Sequence, residues 1–349
     1  MSEIAPILEE WYAQNGRDLP WRQTKDPYRI WLSEIILQQT RVVQGRDYYL
    51  RFLARFPDVA TLARASEDEV LKLWQGLGYY SRARNLHAAA QEIQTRFGGL
   101  FPRAYADVRS LKGVGDYTAA AVCSFAFDAP FAVLDGNVFR VLSRLFDVDI
   151  PIDTGGGRRD FAALAQSLLD THASSLYNQA IMDFGAIHCL PAQPLCATCP
   201  FADRCLALAA DTVTLRPVKN GKTAVHDRWF NYLHLVCGQE TLLHRRTSGD
   251  IWQGLYEFPL IESDRALSFE ELEQTAEFRT LSAGTDLHLT HTAVRPKHQL
   301  SHQTIHATFY RIEIKAWPPM AAEYLRTDGT TLGDYAVSRL TERYLDAVK

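Results

Sequence analysis

Leu111-Lys112-Gly113-Val114-Gly115-Asp116-Tyr117-Thr118-Ala119 is the stretch on which the fold is read. It lies between helical patterns, and a fresh helix starts near Tyr117. Gly113 and Gly115 permit positive φ and the close approach of a ligand to the backbone. The free N–H groups opening the next helix form an anion site. A lone G-x-G is an ordinary helix corner. With Leu111-Lys112 before it and a helix start after it, the segment reads as a helix–hairpin–helix over about 111–122, an element that grips phosphate through its backbone.

Outward from this hairpin, residues 1–210 read as nearly all helix, in roughly nine or ten segments by the three- and four-residue apolar step. Trp31, Ile35 and Gln38 share one face, as do Val70, Leu73 and Trp74. Ser66 with Glu69 forms a capping box ahead of a helix, and Pro57, Pro102, Pro130 and Pro151 punctuate the series. The pattern changes after 210. Segment 211–226 reads as a linker. Strand-like runs follow at 229–237, 241–246 and 304–315, with helical patterns at 268–278 (capped by Ser268 with Glu271) and 333–348. The fold class expected is therefore a mostly α N-terminal domain (1–210) and a smaller α/β domain (227–349).

Of 349 residues, 47% are hydrophobic and 22% charged, which excludes a disordered chain. No apolar run approaches the ~18 residues of a membrane span, so no membrane partner is expected. The opening MSEIAPILEEWY carries acid where a signal peptide carries base, the reading of a cytoplasmic chain. Net charge is −4, and neither half is basic. That argues against non-specific coating of nucleic acid, which depends on phosphate neutralisation. It leaves room for a protein that holds a few phosphates by backbone N–H groups.

Of six cysteines, Cys123 and Cys237 are isolated among apolar residues and read as core. Cys189, Cys196, Cys199 and Cys205 follow a C-x6-C-x2-C-x5-C spacing across the loop 189–205. Structural zinc normally takes two close pairs a longer stretch apart. One close pair flanked by single cysteines favours an iron–sulfur cluster over zinc.

Two carboxylates stand out. Glu34 lies in Trp31-Leu32-Ser33-Glu34-Ile35-Ile36-Leu37-Gln38-Gln39-Thr40, where large apolar neighbours should desolvate it and raise its pKa. Asp135 interrupts the apolar run Val133-Leu134-Asp135-Gly136-Asn137-Val138. Taken singly, Glu34 is also readable as a hydrogen-bonded buried acid, and Asp135 as a helix N-cap. As a pair in unlike environments they suit glycosidic chemistry, one protonated, the other ionised against an oxocarbenium ion.

SEIILQQT, GLGYYSRARNL, LKGVGDYTAAAV, VLDGNVFRVLSR, YNQAIMDFGAIHC and the cysteine loop, in this order over residues 20–205, resemble the MutY-type adenine DNA glycosylases of the helix–hairpin–helix glycosylase group. The resemblance implies a two-lobed helical catalytic domain with a [4Fe–4S] cluster on the four cysteines. It implies excision of adenine mispaired with 8-oxoguanine or guanine in duplex DNA. It gives Glu34 the role of the acid that protonates adenine N7, and Asp135 that of the carboxylate stabilising the deoxyribose cation, with Asn137 beside it. Tyr117 occupies the position where lyase relatives carry lysine. A phenol cannot form a Schiff base, so a monofunctional enzyme is expected.

The resemblance also implies an adenine pocket with Trp21, Arg22 and Gln179, and contacts to DNA by Gln38, Gln39, Thr40, Tyr79, Gly113 and Gly115, with Gln39 and Tyr79 as intercalating positions. The C-terminal half resembles the family's Nudix-like recognition domain through Gly254-Leu255-Tyr256-Glu257-Phe258-Pro259. No catalytic Nudix string follows residue 210. Leu300-Ser301-His302 stands where the family often has Phe-Ser-His over 8-oxoguanine, leaving Ser301 and His302 as polar readers. The competing view of 288–306, with its five histidines, is a solvent loop or a metal cluster. A monomer on chromosomal DNA is expected. The rival functions are an endonuclease III-like pyrimidine glycosylase and lyase, which Tyr117 opposes, and a silent lesion-binding protein, which the two carboxylates oppose.

Overall fold

The computed structural model describes residues 4–221, 224–247 and 249–348, so two residues of the expected linker lie outside the described ones. The chain forms two compact units. The first comprises 1–64 and 85–221, the second 65–84 and 222–349. The division at 221 falls within the expected linker, 211–226, but residues 65–84 leave the N-terminal half. Sequence order hides the reason, which is long-range pairing. Lys72 donates to the Tyr335 carbonyl at 3.0 Å, Val337 N–H to Gln75 Oε1 at 3.2 Å, and Arg84 to the Gln253 carbonyl at 2.6 Å. Gly254 explains the GLYEFP motif: its φ is +84°, and a Cβ there would lie 2.9 Å from Leu71 Cδ1.

Among the described residues of the first 210 there are twelve α-helices and no strand. The excess over the expected number is in short pieces such as Val59–Arg64 and Leu206–Ala209, below the length at which a period shows. Helix Pro27–Leu37 starts with Asp26 as N-cap and Pro27 in its first turn, and buries every residue from Ile30 to Ile36. Leu37 and Gln38 are half-buried at its C-terminal end, so the face expected from Trp31 and Ile35 loses Gln38 from the core. Helix Glu67–Trp74 carries the Ser66–Glu69 capping box, with Leu71 rather than Leu73 fully buried.

Helices Tyr105–Ser110 and Asp116–Phe127 flank the hairpin. Gly113 has φ +75°, and a Cβ there would lie 2.6 Å from that of Asn85. Gly115 departs from the positive-φ expectation. It is the extended N-cap of the second helix, φ −93°, and open space faces the position of its missing Cβ. One left-handed residue suffices to turn this corner, and the second glycine keeps the helix entrance uncovered.

The second unit is built on strands β1 (His226–Cys237), β2 (Glu240–Arg245), β3 (Tyr256–Glu257), β4 (Leu260–Ser263), β5 (Leu287–Val294), β6 (His298–Gln299), β7 (Gln303–Ile314) and β8 (Leu325–Asp328). β1 runs parallel to β7 in the middle, and the other pairings are antiparallel. Both faces of β1 are buried. Leu233 and Leu235 pack with Leu272, Phe278 and Leu281, while Phe230 and Tyr232 pack with Leu340 and Tyr344. A strand covered on both sides loses alternation, and β1 carries six successive buried residues. The helical pattern at 268–278 is two helices, Phe269–Glu273 and Ala276–Leu281, because Thr275 caps a new start. The last helix begins at Arg339, six residues later than its pattern suggested, after a 3₁₀ segment, Gly329–Asp334. Segment 288–306 is not a loop. Most of it belongs to β5, β6 and the start of β7.

Candidate active site

Several helix ends of the first unit converge on one cleft of about 1060 Å³, lined by Glu34, Tyr117, Asp135, Asn137, Gln179, Trp21 and Arg22 among others. The size suits a small-molecule-sized group such as an extruded nucleoside. Thr40 lines the cleft as well. Gln38 does not appear in its wall and instead donates to Thr118 Oγ1 at 3.3 Å.

Glu34 is 6% exposed and accepts a hydrogen bond from the Tyr117 hydroxyl at 2.7 Å. Burial pushes its carboxyl up to about 7. The Tyr117 hydrogen bond pulls down and the Asp135 charge pushes up by lesser amounts. The Tyr117 phenol is itself raised well above its ordinary value, chiefly by burial and then by Glu34. Tyr117 is therefore a permanent donor, and a Glu34 proton is free to occupy the other oxygen or the remaining lone pair.

Asp135 is the N-cap of helix Gly136–Leu145, so its capping role is real and also sets its aim. Oδ1 accepts the N–H groups of Asn137 and Val138, both at 2.8 Å. Oδ2 accepts Asn137 Nδ2 at 2.8 Å. Burial raises the carboxyl, against the opposing pull of Val138 N–H, the two Asn137 donors and the Arg140 charge. Asn137 Oδ1 in turn accepts from Arg140 at 2.9 Å, and Arg140 also donates to the carbonyls of Gly185 and Cys189. Asn137 is thus held at both ends, and holds Asp135.

Asp183 escaped the sequence reading, and the structure makes it the partner that fixes Arg17 and Arg22, two residues of the cleft lining. It is fully buried and takes both terminal nitrogens of Arg22, plus the guanidinium and N–H of Arg17. Burial raises its carboxyl, but the Arg22 and Arg17 hydrogen bonds outweigh burial and hold it low. The pairing spans 161 residues from Arg22, and an acid in YNQAIMDFG gives no local signal of it. Gln179 accepts from Tyr12 at 3.2 Å and donates to Ser175 at 3.0 Å. Each end of an amide keeps capacity for one more bond, so the oriented Gln179 still offers both a donor and an acceptor. Lys25 also lines the cleft, with its ammonium on the Phe125 carbonyl (2.9 Å) and Ser175 Oγ (3.1 Å).

Gln39 and Tyr79 are both exposed residues with positive φ, +53° and +47°. Such conformations cost non-glycine residues about 1 kcal/mol or more. In the second unit the Tyr79 hydroxyl meets Ser301 Oγ at 2.9 Å. Leu300, Ser301 and His302 form the tight β6–β7 turn, closed by Leu300 N–H on the Gln303 carbonyl at 2.7 Å. Ser301 and His302 are exposed there, and Leu300 packs inward.

Cys189, Cys196, Cys199 and Cys205 are free thiols lining one apolar cavity with Arg144 and His188. Arg144 donates to Cys189 Sγ and Phe201 N–H to Cys199 Sγ, each at 3.4 Å. Among the described residues no three His, Cys, Asp or Glu side chains converge on a point fit for a single metal ion. Four sulfurs lining one cavity, two of them with N–H donors, are a donor set that fits a thiolate-held metal group.

Residues 32–154 match the HhH-GPD superfamily of base excision DNA repair proteins, and 231–347 match the NUDIX domain. A solved thermostable thymine-DNA glycosylase superposes with a TM-score of 0.56 at 29% identity, covering 59% of this chain and 95% of that one. The class is thus a helix–hairpin–helix DNA N-glycosylase carrying a second, Nudix-type domain. The chain is 34% identical over 299 residues to the adenine DNA glycosylase of Buchnera aphidicola subsp. Baizongia pistaciae, covering 85% of this chain and 82% of the relative. It is 42% identical over 221 residues to that of Rattus norvegicus, covering 59% and 43%. It belongs to the adenine DNA glycosylase family, DNA N-glycosylases of base excision repair.

Proposed function

We propose that the protein removes adenine mispaired with 8-oxoguanine or guanine in duplex DNA, by acid-assisted cleavage without strand scission. One observation carries the reading: a buried carboxyl poised near neutral pH, Glu34, shares a cleft with a second carboxylate held by three donors, Asp135. Adenine must leave the stack for any acid to reach N7, at a cost of a few kcal/mol. Gln39 and Tyr79 would support the opened duplex. Glu34 delivers its proton to N7, the glycosidic bond breaks with the base leaving as neutral adenine, and Asp135 faces the positive charge that develops on the sugar. Water closes the sequence by adding its oxygen to C1′ and returning a proton to the Glu34 carboxylate, to leave an abasic sugar. Tyr117, a phenol donating to Glu34, has no amine to trap the opened sugar, and the one lysine in the cleft wall is engaged by Phe125 and Ser175. Borohydride should therefore trap no covalent adduct on an abasic duplex. Efficient trapping would favour the lyase reading.

The cysteine loop would hold a [4Fe–4S] cluster, whose binding would supply folding energy. Purified protein should contain iron and sulfide with a broad absorbance at about 400 nm. Cys199→Ser should lose metal, thermal stability and DNA affinity together. Stoichiometric zinc without iron would overturn the assignment.

Recognition of the opposite base is assigned to the β6–β7 turn. Ser301 and His302 offer hydrogen bonds, and the Tyr79–Ser301 contact ties the intercalating side chain to that turn. A good bidentate readout is worth about 1–3 kcal/mol. The double variant Ser301→Ala/His302→Ala should still release adenine, with the preference for 8-oxoguanine over guanine narrowed by roughly tenfold to a hundredfold. An unchanged ratio at one salt concentration would place recognition elsewhere.

A further inference from the structure

We infer that Tyr12 is a specificity-determining positioning residue: its hydroxyl fixes which end of the Gln179 amide meets which atom of the extruded base, and so favours a 6-amino purine over a 6-oxo purine. The inference rests on the adenine-releasing reading above. Gln179 lies in helix Ser174–Asp183 and lines the cleft that holds Glu34 and Asp135. The two ends of an amide have nearly the same shape, so the hydrogen bonds around it decide its sense. At one end stands Ser175 Oγ, 3.0 Å from Gln179 Nε2, and the Lys25 ammonium donates to the same oxygen at 3.1 Å. A serine hydroxyl both donates and accepts, so Ser175 suits either sense of the amide.

The other end decides. The Tyr12 hydroxyl donates to Gln179 Oε1 at 3.2 Å. Its other polar neighbour is Arg22 Nη1 at 3.3 Å, which also donates to the Arg17 carbonyl and to Asp183. A guanidinium offers no acceptor. Among the described residues the Tyr12 proton therefore has Gln179 Oε1 as its acceptor, and the amide nitrogen is sent to Ser175. Turning the amide would set nitrogen against Tyr12 and leave the phenol proton unpaired. Held this way, the amide offers the base an acceptor and a donor in fixed order. Adenine presents the complement, the N6 amino donor beside a ring-nitrogen acceptor. The base cannot swing round to evade this, because N9 is tied to the sugar and N7 must meet Glu34. Hypoxanthine has the same outline and the same N7, but its O6 would face Gln179 Oε1, acceptor against acceptor.

The test compares single-turnover release of adenine and of hypoxanthine, each placed opposite 8-oxoguanine, by the full-length protein. The adenine-to-hypoxanthine rate ratio is compared between proteins, so the intrinsic labilities of the two bases cancel. Tyr12→Phe keeps the ring beneath Arg22 and removes the hydroxyl. The wild-type ratio should narrow by about tenfold, the worth of one buried hydrogen bond, chiefly through faster release of hypoxanthine. Loosened packing alone would slow both bases alike and leave the ratio unchanged. Gln179→Leu has no amide to turn, so its ratio should also narrow, and adding Tyr12→Phe to it should change the ratio no further. An unchanged ratio in folded Tyr12→Phe, or a Tyr12→Phe effect that persists in full beside Gln179→Leu, overturns the inference and leaves the adenine reading standing. If Tyr12→Phe does not fold, Gln179→Leu decides: a narrowed ratio upholds the inference and an unchanged one overturns it. Wild-type protein that releases no adenine overturns the reading and the inference together.

Discussion

Glu34→Gln abolishes adenine release while affinity for the lesion duplex stays within about tenfold, or 1.4 kcal/mol. Glutamine keeps the shape and can still accept the Tyr117 hydrogen bond at Oε1. What it lacks is the proton. General acid catalysis contributes roughly a hundred- to ten-thousand-fold, and the loss should fall in or above that range. Single-turnover rates within threefold of wild type would make Glu34 structural. The wild-type enzyme carries a matching pH signature. Glu34 acts protonated, and its carboxyl sits at about 7. The rate should fall about tenfold per pH unit on the alkaline side of that value, and fall again in acid where Asp135 takes up a proton. Linkage runs the same way. A carboxyl raised from 4.5 to about 7 stabilises the fold fully below 4.5, and that contribution is lost as pH rises through about 7. In mildly alkaline buffer Glu34→Gln should melt at or above the wild-type temperature. A lower melting point in Glu34→Gln would mean that the carboxylate supports the fold.

Asp135→Asn is the second large effect, and it separates two roles that the residue combines. Asparagine is as good an N-cap as aspartate, so Oδ1 can go on accepting the Asn137 and Val138 N–H groups and the cap itself is kept. The charge is gone, however. Its new amide also faces Asn137 Nδ2, donor against donor, and Asn137 cannot turn without losing Arg140. Electrostatic stabilisers of this kind are worth about a hundred- to a thousandfold in rate. A folded, stable and inactive variant is the expected outcome. Unaltered single-turnover rates would return Asp135 to capping alone.

What was legible in the sequence was local. The capping boxes Ser66–Glu69 and Ser268–Glu271 formed as spelled, because a box spans only four residues. The hairpin, Glu34, Tyr117 and Asp135 each sit in a short motif, and the structure gathers those three side chains into one cleft. What stayed hidden depends on distant partners. Asp183 is unremarkable until Arg17 and Arg22 fold onto it. Residues 65–84 look like one more stretch of the helical half until their partners at 253 and 335 are known. The competing view of 288–306, a loop or a metal site, could be judged only from pairing: β7 orders most of that segment, and among the described residues no metal-holding group forms there. Gly115 shows the limit of reading by residue type: neither its φ nor its surroundings within the protein require a glycine.

The most direct measurement is single-turnover release of adenine from an A:8-oxoguanine duplex by the wild-type protein, followed across pH on both sides of neutrality, with the strand checked for scission before any treatment with base. The predicted result is free adenine, an intact strand, and a rate that falls on the alkaline side of about 7 as Glu34 ionises. No adenine, a rate indifferent to pH through this range, or a strand already cut would contradict the account.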